Sequence, residues 1–98
     1  MKDVHIRRGE IYRIDFEKTV TVPIRKRRPA LVVQNDLGNH YSPKTIVVAI
    51  HEDMGKGLPV HVSVPKGVGG LVKNSVVDCG IVSTISKEML GEKLGRLP

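Results

Sequence analysis

Two short apolar runs, Ala30-Leu31-Val32-Val33 and Thr45-Ile46-Val47-Val48-Ala49-Ile50, constrain the fold more than any other feature of the chain. Both are dominated by β-branched and small residues, which suit the pleated surface of a strand. A continuous apolar run bounded by turn formers reads as a strand buried on both faces. Only 3% of the residues are aromatic and none is Trp, so the core has to be built from aliphatic side chains.

The remaining segments repeat that pattern. Ile11-Tyr12-Arg13-Ile14-Asp15-Phe16 puts Tyr12, Ile14 and Phe16 on one face at period two. Val60, Val62 and Val64 alternate with His61 and Ser63, which predicts a half-exposed strand. Ser75 to Ile85 supplies one or two strands around Gly80, and Lys93 to Leu97 a last one. Asn35 to Pro43 and Pro65 to Gly70 read as loops, and Ser86 as the N-cap of a short helical turn over Lys87 to Leu90. The expectation is one mainly β domain spanning 1–98, a small closed barrel or sandwich with one or two short helical turns.

The formal net charge of +6, from 16 Lys/Arg against 10 Asp/Glu, favours a polyanionic partner. A lone cysteine, Cys79, forms no internal disulfide, and no apolar run approaches the length of a membrane span. A cytoplasmic location with no membrane partner is the expectation.

Six collinear segments carry a resemblance: Glu10 to Phe16, Arg27-Arg28-Pro29-Ala30-Leu31-Val32-Val33-Gln34-Asn35-Asp36, Ser42 to Ile50, Leu58 to Val62, Ser75-Val76-Val77 with Thr84-Ile85, and Lys93 to Leu97. Together they resemble the MazF/PemK family of toxin ribonucleases. The resemblance implies an SH3-like barrel of MazF/PemK/CcdB type that pairs as a homodimer. It also implies cofactor-free, metal-independent cleavage of single-stranded RNA and neutralisation by a MazE-type antitoxin. In that chemistry the ribose 2′-hydroxyl attacks the adjacent phosphate, which calls for proton transfer and a cation at the phosphorane.

Arg28 stands where the family places its catalytic arginine, and a guanidinium can fork onto two phosphate oxygens. His51 follows the Val-Val-Ala-Ile strand at the position of the family's threonine, and an imidazole can move protons near neutral pH. Arg8, Arg25, Lys26 and Arg27 offer phosphate contacts, and Asn35, Asn39 and Thr84 offer contacts to bases. His5, His40 and His61 show no ligand spacing with His51, so no metal site is expected.

The departures from the family fall on the groove. Thr21-Val22-Pro23, Gly80-Ile81-Val82-Ser83 and His51 replace more polar or differently polar family residues, and the family's C-terminal helix is missing after Leu97. A second reading follows. Val22, Pro23, Met54, Val68, Val72, Ile81 and Val82 together make an apolar patch on a diverged or engineered, non-catalytic scaffold that binds a protein outside the family.

Overall fold

A computed structural model of the chain describes residues 5–15 and 27–98. Six strands follow in order: β1 (Glu10–Asp15), β2 (Arg27–Val32), β3 (Lys44–Glu52), β4 (His61–Val64), β5 (Ser75–Ser86) and β6 (Leu90–Arg96). One helix, α1 (Asp36–Tyr41), lies between β2 and β3, and 3₁₀ turns cover Val68–Gly70 and Lys87–Met89. The strands form one sheet in the order β4-β5-β3-β2-β1-β6, and its pairs are antiparallel. The mainly β fold read from the sequence is the fold observed.

The two apolar runs lie in the middle of this sheet and are covered on both faces. Ala30, Val32, Val47 and Ala49 pack with Ile6, Tyr12, Ile14, Ile85 and Leu90 in one core. Val48 and Ile50 join Ile11, Val64, Leu71 and Val77 in a second, against which Leu31 and Val33 also pack. Successive residues of β3 thus alternate between two cores, the arrangement that a strand without polar alternation requires. Phe16, predicted to share the face of Tyr12 and Ile14, lies outside the described residues.

The ends of the sheet are drawn together into a small barrel-like fold. The 3₁₀ turn after β4 packs on β6, with Val68, Leu94 and Leu97 all against the second core. Backbone meets backbone there. A Cβ on Gly70 would collide with the carbonyl of Leu94, and one on Gly95 with that of Gly69. Gly70 also has φ +78°, a region that L side chains rarely adopt. Leu97 N donates to Gly9 O at 2.8 Å, continuing the seam past the end of β6.

Two sequence expectations change. The Asn35 to Pro43 loop contains α1, capped by Asn35 Oδ1, which accepts from Gly38 N at 2.8 Å. Six residues carry too little apolar periodicity for a helix to be read from sequence. On β4 the alternation is broken: Val64 is buried, but Val62 is 55% exposed and the His61 side chain only 10% exposed. The reason is that His61 stands opposite Asp78 of β5.

A buried carboxylate ties β1 to β6. Glu10 Oε1 accepts from Arg7 N at 2.7 Å and from the Tyr12 hydroxyl at 3.0 Å, and Oε2 pairs with Lys93 Nζ at 2.5 Å. Burial alone would push the Glu10 carboxyl up, but Lys93, the Arg7 amide and the Tyr12 hydroxyl outweigh it and hold the carboxyl below its ordinary value. Burial and the same contact push the Tyr12 hydroxyl up to about 12.

Two outcomes are expected in urea unfolding. Gly70→Ala should cost about 2–4 kcal/mol, combining the strained φ with the clash. Glu10→Gln should cost about 1–3 kcal/mol at neutral pH. A depressed carboxylate contributes stability above its unfolded pKa and loses it as pH falls through the lower folded value. The gap between wild type and Glu10→Gln should therefore close on acidification below about pH 4.

Candidate functional site

The site is set by an irregularity in β5. This strand pairs regularly with β3 from Lys44↔Ser86 to Val48↔Val82 and again from Ala49↔Asp78 to Glu52↔Ser75. Residues 79–81 are left over between those two stretches as a bulge. Asp78 Oδ1 accepts from Gly80 N at 2.9 Å, while Cys79 N donates to Val60 O at 2.9 Å on the β4 side. A glycine inside a strand is the sequence signal for such a bulge.

The bulge leaves Asp78 between two histidines on neighbouring strands. His61 of β4 is its direct partner, and His51 of β3 lies two residues beyond Ala49, on the same face. The sequence places His51 just after its strand, but β3 runs on to Glu52 and fixes the ring against Asp78. Asp78 Oδ2 is 3.0 Å from His51 Nε2 and 3.3 Å from His61 Nε2, and the two rings meet edge to face at 5.2 Å. The hydrogen bond from His51, aided by Gly80 N and the charge of His61, outweighs burial and holds the Asp78 carboxyl below its ordinary value.

Arg28 reaches the same place from the other side of β3. Ala30 pairs with Ala49, and continuing that register by two residues brings Arg28 opposite His51. Arg28, His51, Glu52, Met54 and Ile81 line a cleft of about 340 Å³. A neighbouring cleft of about 290 Å³ is lined by His51, Met54, Lys56, Leu58, His61 and Asp78, so His51 forms a wall common to both. Among the described residues, Arg28 Nε is the one buried side-chain nitrogen or oxygen without a hydrogen-bond partner. A buried guanidinium N–H with nothing to donate to costs stability unless a ligand supplies the acceptor.

The other sequence candidates do not gather here. Arg27 is exposed one residue from Arg28, and Arg25 and Lys26 lie outside the described residues. Arg8 is exposed at the far end of β2, where its backbone N donates to Asp36 Oδ1 at 2.7 Å. Thr84 is exposed opposite Ile46, at the far end of β3 from His51. Asn35 has its amide oxygen committed to capping α1.

Asn39 is not a surface contact for RNA at all. It is 1% exposed, accepts from Thr45 Oγ1 at 2.7 Å and Gln34 Nε2 at 3.1 Å, and donates to Gln34 O at 2.9 Å. Its amide is consumed in holding α1 to β3.

The proposed apolar patch also divides. Val68 packs on the second core and Ile81 on the first, so neither is a free surface residue. Met54, Val72 and Val82 are exposed, but of these only Met54 lines the cleft beside Ile81. Val22 and Pro23 lie outside the described residues. Sequence reasoning missed Glu52, His61 and Asp78. No spacing pairs His51 with His61, because β5, the strand that joins them, comes later in the chain.

Residues 7–98 match the family model for the PemK-like, MazF-like toxin of type II toxin-antitoxin systems. The endoribonuclease MazF of Staphylococcus epidermidis is 39% identical over 91% of this chain and 75% of its own length. The Mycobacterium tuberculosis toxin MazF-mt6 superposes with a TM-score of 0.75 at 27% identity, covering 91% of this chain and 80% of that one. A MazE-MazF structure from Deinococcus radiodurans shares the fold, with a TM-score of 0.74 at 22% identity over 98% of this chain and 83% of its own.

Asn39→Ala should lower stability by about 1–3 kcal/mol, because it strands the partners of a buried amide. Chemical denaturation checks this, and RNA affinity measured where the variant is still folded should stay within about twofold of wild type, below the cost of a lost base contact.

Proposed function

The chain belongs to the PemK-like, MazF-like toxin family of type II toxin-antitoxin systems, and on that premise we propose that it is an endoribonuclease that cuts single-stranded RNA. The observation that carries this reading is the orphaned Nε of Arg28, buried at the edge of a cleft that it shares with His51. A backbone phosphate supplies what that nitrogen lacks: a fixed anionic acceptor that draws more strongly as the phosphorane gains charge.

The reaction is a transesterification. The 2′-oxygen bonds to phosphorus, the bond from phosphorus to the 5′-oxygen breaks, one proton leaves the 2′-hydroxyl, and one reaches the departing 5′-oxygen. The products are a 2′,3′-cyclic phosphate and a 5′-hydroxyl. Arg28 holds and neutralises the non-bridging oxygens. His51 serves one of the proton transfers, and its contact with Asp78 fixes the orientation of the ring. The exposed Arg27 beside the cleft adds electrostatic attraction without reading bases.

The partners that fit this reading are a MazE-type antitoxin and a second copy of the chain. The fitting compartment is the cytoplasm, where the RNA is; no helix among the described residues is long and apolar enough to cross a membrane.

Incubation with a long single-stranded RNA in EDTA should yield fragments ending in 2′,3′-cyclic phosphate. Arg28→Ala should slow cleavage by about 10²–10³-fold, and His51→Ala by about 10²–10⁴-fold. Arg28→Lys should recover only part of the loss, since an ammonium lacks the planar fork. RNA left intact at high protein concentration, or cleaved equally by Arg28→Ala, would falsify the proposal.

A further inference from the structure

His51, Asp78 and His61 converge from three adjacent strands in a way that RNA cleavage does not use up. His51 Nδ1 lies 3.2 Å from the carbonyl oxygen of Glu52, a contact that forms a hydrogen bond in the tautomer protonated at Nδ1. In that tautomer Nε2 presents a lone pair beside Asp78 Oδ2 at 3.0 Å, whereas in the other it donates to that oxygen. His61 Nε2 lies 3.3 Å from the same oxygen. Two imidazole nitrogens and a carboxylate oxygen gathered in this manner call for a cation among them.

We propose that His51, His61 and Asp78 form a binding site for one divalent transition-metal ion, zinc being the best match, and that the bound ion withdraws His51 from RNA cleavage. Donors around tetrahedral zinc, with bonds of about 2.0–2.2 Å, stand about 3.3 Å from one another. The two nitrogen-to-oxygen separations here are 3.0 and 3.3 Å, and all three donor atoms lie within 4.8 Å of one another. Only the distance between the two histidines has to close.

The donor set also selects the metal. Two imidazoles with one carboxylate suit zinc and its transition-metal neighbours, whereas magnesium and calcium prefer oxygen shells. With Nε2 on the metal, Nδ1 of His51 carries the proton and the Glu52 carbonyl 3.2 Å away accepts its hydrogen bond, the outer contact that fixes a metal-bound imidazole in its tautomer. All three ligands stand on paired strands, so little ordering is left for binding to do. A fourth position opens on the cleft of about 290 Å³ and can take water.

The blocking effect rests on the role given to His51 under the proposed function; the metal site itself does not. The two are tested separately. Tag-free, metal-free protein is titrated with Zn²⁺ by calorimetry and with Co²⁺ by visible absorption, with no RNA present. One ion per chain is expected, with the d–d bands of tetrahedral Co²⁺ lost on adding Zn²⁺. His51→Ala and His61→Ala should each weaken binding at least about tenfold while keeping the far-UV circular dichroism of wild type. The absence of a saturable site in wild type, or wild-type affinity in both folded variants, overturns the proposal and leaves a proton as the only cation in the cluster. In the RNA assay, Zn²⁺ at saturation should slow cleavage at least about tenfold, with recovery in EDTA. Unchanged cleavage by the Zn²⁺-saturated enzyme overturns the blocking half.

Discussion

Burial of β3 on both faces fixes most of what surrounds it. Val47 and Ala49 belong to one core and Val48 and Ile50 to the other, so a slip of one residue against β2 or β5 would exchange the two sets. None of these residues is polar, and both destinations are filled. The register is therefore fixed by packing on two sides at once. From that register follow the alignment of Arg28 with His51 and the return of β5 alongside β3.

The proposed chemistry stands where that regularity ends. β5 stays in register with β3 as far as Val82, releases residues 79–81, and resumes at Asp78. The release costs ladder hydrogen bonds, partly recovered through Gly80 N and Val60 O. In return a carboxylate is held between two histidines, and one of them faces Arg28 across the next cleft. A rigid scaffold with a local irregularity at its functional end is a common division of labour, since the scaffold supplies the precision that the site needs.

Much of the fold was legible in the sequence, because Ala30–Val33 and Thr45–Ile50 carry few competing signals. Arg28 and His51 were singled out through the family pattern, and the two line one cleft. What stayed hidden depended on pairing between distant segments. His61 reads as the outward residue of an alternating strand until Asp78 of a later strand is placed opposite it. Asn39 reads as a loop residue able to meet a base until Thr45 and Gln34 are seen to saturate its amide. The supposed apolar patch failed for a related reason: Val68 and Ile81 are drawn into different cores once the barrel closes.

The central claim is that Arg28 holds a backbone phosphate beside His51. The side-chain Nε–Hε resonance of Arg28 reports on this directly in ¹⁵N-labelled protein titrated with a 2′-O-methyl oligoribonucleotide, which binds but has no 2′-hydroxyl to react. The account predicts a downfield shift of that proton on saturation, with protection from solvent exchange, as its missing acceptor arrives. Saturation seen elsewhere on the protein with the Arg28 resonance unmoved would contradict it.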